Sequence, residues 1–68
     1  MNKFNEGDLV IVVGPTLKGK KYGIGEIAEI VYVNLELNET LSTYLIKLSD
    51  GDLAGWYDDK AFELIYTV

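Results

Sequence analysis

Gly23-Ile24-Gly25-Glu26-Ile27-Ala28-Glu29-Ile30-Val31-Tyr32-Val33-Asn34-Leu35-Glu36-Leu37 decides the fold. Ile24, Ile27, Ile30 and Val31 fall at helical spacing, and a helix here would make the fold mixed. Gly23 and Gly25 stand against that at its start. From Val31 to Leu37 the residues are β-branched or alternate with polar ones, a pattern that suits a pleated surface. We read one long strand with a bulge near Ala28 and Glu29. One extra residue shifts the parity, so both Ile27 and Ile30 face inward.

The flanking segments are also β. Leu9-Val10-Ile11-Val12-Val13 is rich in β-branched residues and stops at Gly14-Pro15. Val10 and Val12 are expected to face the core, with Leu9, Ile11 and Val13 covered elsewhere or partly exposed. Residues 14–23 form a loop. After a turn at Asn38-Glu39-Thr40, Ser42 to Leu48 alternates Tyr44, Ile46 and Leu48 with Leu45 and Lys47, a half-buried strand. Asp50-Gly51 is the strongest hairpin signal in the chain. A fourth strand covers Leu53 to Tyr57. Asp58 to Phe62 is too short for a stable helix and reads as one 3₁₀ turn begun by the Asp58 or Asp59 carboxylate. Glu63 to Tyr66 closes the chain as a short strand.

Five strands in 68 residues are too few for two full sheets. We expect one all-β domain over residues 1–68, curled into a small SH3-like barrel with a single short 3₁₀ turn before its last strand. An OB barrel would need more chain. A domain of this size buries only about 60% of its unfolded surface, so one core is the ceiling.

Composition limits the chemistry. The chain has no cysteine and no histidine. Disulfides, thiol nucleophiles, Cys/His zinc sites and histidine acid–base catalysis are therefore out. Six lysines against eleven acids leave a net charge of −5. Residues 1–25 carry four lysines against two acids, while residues 26–68 carry two against nine. The basic residues Lys18, Lys20 and Lys21 sit in one loop and are candidate phosphate contacts. The acidic balance and the absence of arginine count against nucleic acid as a partner. No apolar run approaches the roughly eighteen residues of a membrane span, and no leader pattern opens the chain. A cytoplasmic protein is expected.

Phe4-x-x-Gly7-Asp8-Leu9-Val10-Ile11-Val12 resembles the opening of KOW, Tudor-like and related SH3-like barrels. Gly23 to Ile30 resembles their second strand. Tyr44 to Gly51, Gly55-Trp56-Tyr57 and Phe62-Glu63-Leu64 resemble the end of the barrel. The combination is most similar to small SH3-like proteins of phages and prophages of Gram-positive bacteria. The resemblance implies a core of Val10, Val12, Ile27, Ile46, Phe62 and Leu64, with Gly7 and Gly25 serving backbone geometry. It supplies no catalytic residue. Acidity and the missing arginines depart from the nucleic-acid-binding members.

No site signal points to catalysis. Asp50, Asp52, Asp58 and Asp59 read as hairpin and capping groups, without the spacing or the bidentate Glu of a calcium loop. Gly14 to Lys20 lacks the phosphate-loop spacing. Ser42 and Thr43 have no base partner. No enzyme activity, cofactor or metal is expected. Five tyrosines and one tryptophan are the more informative residues. Tyr22, Trp56 and Tyr57 are candidates for a protein-binding surface, with one ring of the Trp56-Tyr57 pair pointing outward. The expected function is a non-catalytic adaptor that binds a host or phage protein. The alternatives are a KOW-like nucleic-acid module and a structural homo-oligomer joined through Leu35 and Leu37. A monomer is favoured over a homodimer.

Overall fold

A computed structural model describes residues 3–35 and 42–67 of the chain. It holds five strands: β1 (Leu9–Val12), β2 (Ile27–Leu35), β3 (Ser42–Leu48), β4 (Leu53–Asp58) and β5 (Phe62–Tyr66). A 3₁₀ turn over Asp59–Ala61 joins β4 to β5. Asp58 caps that turn, its carboxylate accepting from the Lys60 N–H at 2.9 Å. At the β3–β4 hairpin Asp50 Oδ1 accepts from Asp52 N at 3.0 Å. Two of the four clustered acids are thus turn-forming groups.

All pairings are antiparallel, and the strand order is β4-β3-β2-β1-β5. This corrects the expected SH3-like barrel. The sheet is not closed. β4 and β5 are its two edges, and among the described residues no ladder joins them. β5 pairs with β1, Val12 opposite Phe62 and Val10 opposite Leu64. The short 3₁₀ turn brings the edges together by side chains instead. The Tyr57 and Phe62 ring centroids lie 5.2 Å apart.

The long second strand forms as a strand, but its bulge lies elsewhere. Ile30 is opposite Ile46 and Tyr32 opposite Leu45, so the extra residue is Val31. Ala28 and Ile30 therefore face the core before the bulge, and Val33 packs toward it afterwards. Ile27 points out and is 53% exposed, against its expected core role. The cause is the pairing with β1. Val12 N–H donates to Glu26 O at 3.0 Å, and Gly25 N–H donates to Val12 O at 2.8 Å. That register sets Ala28, not Ile27, opposite inward-facing Val10.

The core contains Phe4, Val10, Val12, Ala28, Ile30, Tyr44, Ile46, Leu48, Ala54, Tyr57, Ala61 and Phe62. Phe62 sits among three other rings. Phe4 is 5.7 Å away and Tyr44 5.8 Å, both edge-on, and Tyr57 is the third. Edge-on pairs avoid stacking the negative faces of two rings. The Tyr44 hydroxyl accepts from Lys3 N and Phe4 N, which holds the N-terminal segment on the cluster. Asp8 is buried and accepts from Asn5 N at 2.9 Å and from the Thr67 hydroxyl at 3.2 Å, tying the two ends of the described chain together.

Leu64 was expected in the core and is 51% exposed. It lies opposite buried Val10 at the free edge, where no neighbouring strand covers it. Phe62→Ala should cost about 3–5 kcal/mol, the range for truncating a buried ring. Leu64→Ala should cost about 1 kcal/mol, roughly half the value of a fully buried leucine. Urea denaturation followed by circular dichroism measures both. Equal losses would contradict the open edge.

Candidate functional site

The loop between β1 and β2 folds onto β4. Gly19 N–H donates to Thr16 O at 2.8 Å, Thr16 N–H to Lys20 O at 2.9 Å, and Lys20 N–H to Thr16 Oγ1 at 3.1 Å. These bonds close residues 16–20 into a compact turn. Two more bonds attach the loop to the sheet. Leu17 N–H donates to Trp56 O at 2.8 Å, and the Tyr57 hydroxyl donates to Tyr22 O at 2.8 Å. Gly23, at φ 73°, then turns the chain past Leu48.

β4 bulges where it meets the loop. Tyr44 is opposite Tyr57 and Ile46 opposite Ala54, so Gly55 and Trp56 together oppose Leu45. Both lie outside the core between inward-facing Ala54 and Tyr57, and strand alternation separates the fates of the two adjacent aromatics. Trp56 is 39% exposed, while Tyr57 is wholly buried. A Cβ on Gly55 would lie 2.6 Å from Leu45 Cδ1, so glycine lets β4 sit against β3 here. The sequence signal at Gly55 was thus partly one of packing.

A groove of about 520 Å³ runs between the loop and the outer face of the sheet. Thr16, Leu17, Lys18 and Lys20 form its loop side, and Asn34, Thr43, Gly55 and Trp56 its sheet side. A smaller groove of about 240 Å³ continues past Gly55, with Thr16, Lys20, Tyr22 and Leu53 on its walls. Tyr32, exposed on β2, meets the Trp56 ring edge-on at 5.8 Å. Asn34, Thr43 and Tyr32 were not identified from sequence. Once the bulge is placed at Val31, they fall on the outer face by simple alternation, Asn34 opposite Thr43 and Tyr32 opposite Leu45.

The structure brings Tyr22, Trp56, Lys18 and Lys20 to one place. Lys21 is exposed but lines neither groove. Tyr57 is no contact surface. Its ring is core and its hydroxyl holds the loop. Leu37 and the side chain of Leu35 lie outside the described residues. Among the described residues, no three His, Cys, Asp or Glu side chains gather as a metal site, and no helix is long and apolar enough to cross a membrane.

No family model, curated protein or solved structure matches this chain. The resemblance to SH3-like barrel proteins of phages and prophages thus has no matching relative behind it. The open sheet removes its structural basis as well.

Burial raises the Tyr57 hydroxyl above the ordinary tyrosine value of 10.0, with smaller contributions from Tyr22 and Glu26. The native state thus holds this proton more tightly than the unfolded chain. Its contribution is complete below pH 10 and is lost as pH rises through the native value. Tyr57→Phe should lower stability at neutral pH by about 1 kcal/mol and should reduce the alkaline decline seen in the parent. Amide exchange in the 16–23 loop should speed up in this variant. Unchanged exchange there would show that the hydroxyl does not hold the loop.

Proposed function

We propose that the chain is a non-catalytic protein-binding module whose partner docks on the groove between the 14–23 loop and β4. The observation that carries this reading is the joining of that loop to the bulge of β4. It places an exposed tryptophan and tyrosine beside two lysines on a fixed framework. Trp and Tyr are the residues that most often dominate binding energy at protein interfaces, because one end is apolar and the other polar. A framework already closed by hydrogen bonds loses little freedom when the partner arrives. The proposed setting is cytoplasmic. The proposed working form is a monomer, because every residue the reading needs belongs to one face of one chain.

A second reading has one observation in its favour. Lys18 and Lys20 flank the Trp56 groove, and an aromatic ring beside cations can stack a base. The charge of the remaining chain opposes it.

Affinity capture from cell lysate, followed by identification and reconstitution of the captured protein, tests the first reading. Trp56→Ala should weaken the reconstituted complex by at least about thirtyfold, the effect of a hot-spot residue worth about 2 kcal/mol. Ile27→Ala, exposed on another part of the sheet, should leave it unchanged. A complex indifferent to Trp56 would contradict the proposal. Titration with single- and double-stranded DNA and RNA at about 50 mM salt should be flat, and micromolar binding that falls steeply with salt would replace it with the second reading.

A further inference from the structure

The groove has a charge and a shape of its own, and they narrow the partner. Lys18 and Lys20 stand on one wall, on a chain whose residues 26–68 carry two lysines against nine acids. Among the described residues that line the two grooves none is a carboxylate, and Asp58, opposite Thr43, is engaged in capping the 3₁₀ turn. The apolar part comes from Leu17 and Trp56, and the polar floor from Asn34 and Thr43. The main groove, at about 520 Å³, lies within the range that holds a bound ligand. The smaller groove shares Thr16, Lys20 and Gly55 with it. The two grooves meet at Gly55, where Leu45 Cδ1 fills the space a side chain would take, and one extended segment lying over this point can reach both.

We propose that the occupant is an extended acidic peptide segment of the partner. It lays a large apolar side chain against Trp56 and Leu17 and sets a neighbouring carboxylate between Lys18 and Lys20. This proposal rests on the protein-binding reading and gives the partner its chemistry. Two lysines suit one or two carboxylates as point charges. A nucleic acid would instead carry its charge onward over the acidic remainder of the molecule. Adjacent large apolar and acidic residues in the peptide satisfy both walls at once, and a peptide of either kind alone satisfies only one.

Selection of displayed random twelve-residue peptides on the full chain tests this, with the best peptides synthesised and titrated by the fluorescence of Trp56, the sole tryptophan. The expected consensus is an aromatic or large aliphatic residue with Asp or Glu within two positions. Lys18→Gln with Lys20→Gln should weaken its binding by about fivefold, the combined effect of two exposed ion pairs. Added salt should weaken it in the same direction. Replacing the peptide acids by amides should weaken it as much and should not add to the lysine changes. Trp56→Ala, measured by anisotropy of a labelled peptide, should weaken it further. Selected peptides that depend on Trp56 but carry no acid would overturn this inference and leave the protein-binding reading standing. Peptides that bind without Trp56, or no binding peptides at all, would overturn both.

Discussion

The Phe62 ring is the contact on which the rest of the structure depends. It touches Phe4 from the N-terminal segment, Tyr44 from a central strand and Tyr57 from the opposite edge of the sheet. Pairs of this kind are worth about 0.5–1.5 kcal/mol beyond the area they bury. β4 and β5 are the two edges of the sheet, and among the described residues no ladder joins them. Its ends are held by rings, by a three-residue 3₁₀ turn and by single backbone bonds, from Leu17 N–H to Trp56 O and from Val13 N–H to Ala61 O, rather than by a strand ladder. A chain this short has little burial to spare, so four rings meeting at one point account for much of its order.

The same cluster positions the candidate site. Tyr57 has its ring in the core and its hydroxyl on the loop carbonyl of Tyr22. Trp56, one residue earlier, takes the opposite face by strand alternation, and the bulge that sets two residues against Leu45 lets Ala54 return to the core. The exposed tryptophan is therefore no isolated surface ring. Its backbone carbonyl holds Leu17, its neighbour anchors the loop, and its own ring rests against Tyr32. The groove is shaped by core packing carried one residue outward, which gives a binding surface low reorganisation cost.

Features set by local chemistry were legible in the sequence. β1, β3, the Asp50-Gly51 turn and the Asp58 cap follow from β-branching, alternation and side-chain acceptors at fixed offsets. Features set between distant segments were not. Whether β4 and β5 form a ladder depends on the path of the chain through the 3₁₀ turn, which no strand pattern encodes. The bulge in β2 was inferred from the need to bury Ile27 and Ile30. It lies instead at Val31, in the ladder with β3, while bonds from Val12 and Gly25 fix Ala28 opposite Val10 and leave Ile27 facing out. Leu64 has the right parity for the core, but parity says nothing of what covers an edge. The lysines and aromatics of the site were each visible, as two unrelated features. Only the folding of residues 16–20 onto β4 shows that Lys18, Lys20, Tyr22 and Trp56 share one surface.

A nuclear Overhauser spectrum of the isotope-labelled protein tests the central claim most directly. The account predicts contacts from the Phe62 ring protons to the rings of Phe4, Tyr44 and Tyr57. It also predicts no cross-strand backbone contacts between residues 53–57 and 63–66. A set of Hα–Hα contacts between those two segments would show a closed barrel with a continuous ladder, and would contradict an open sheet held at its edges by aromatic packing.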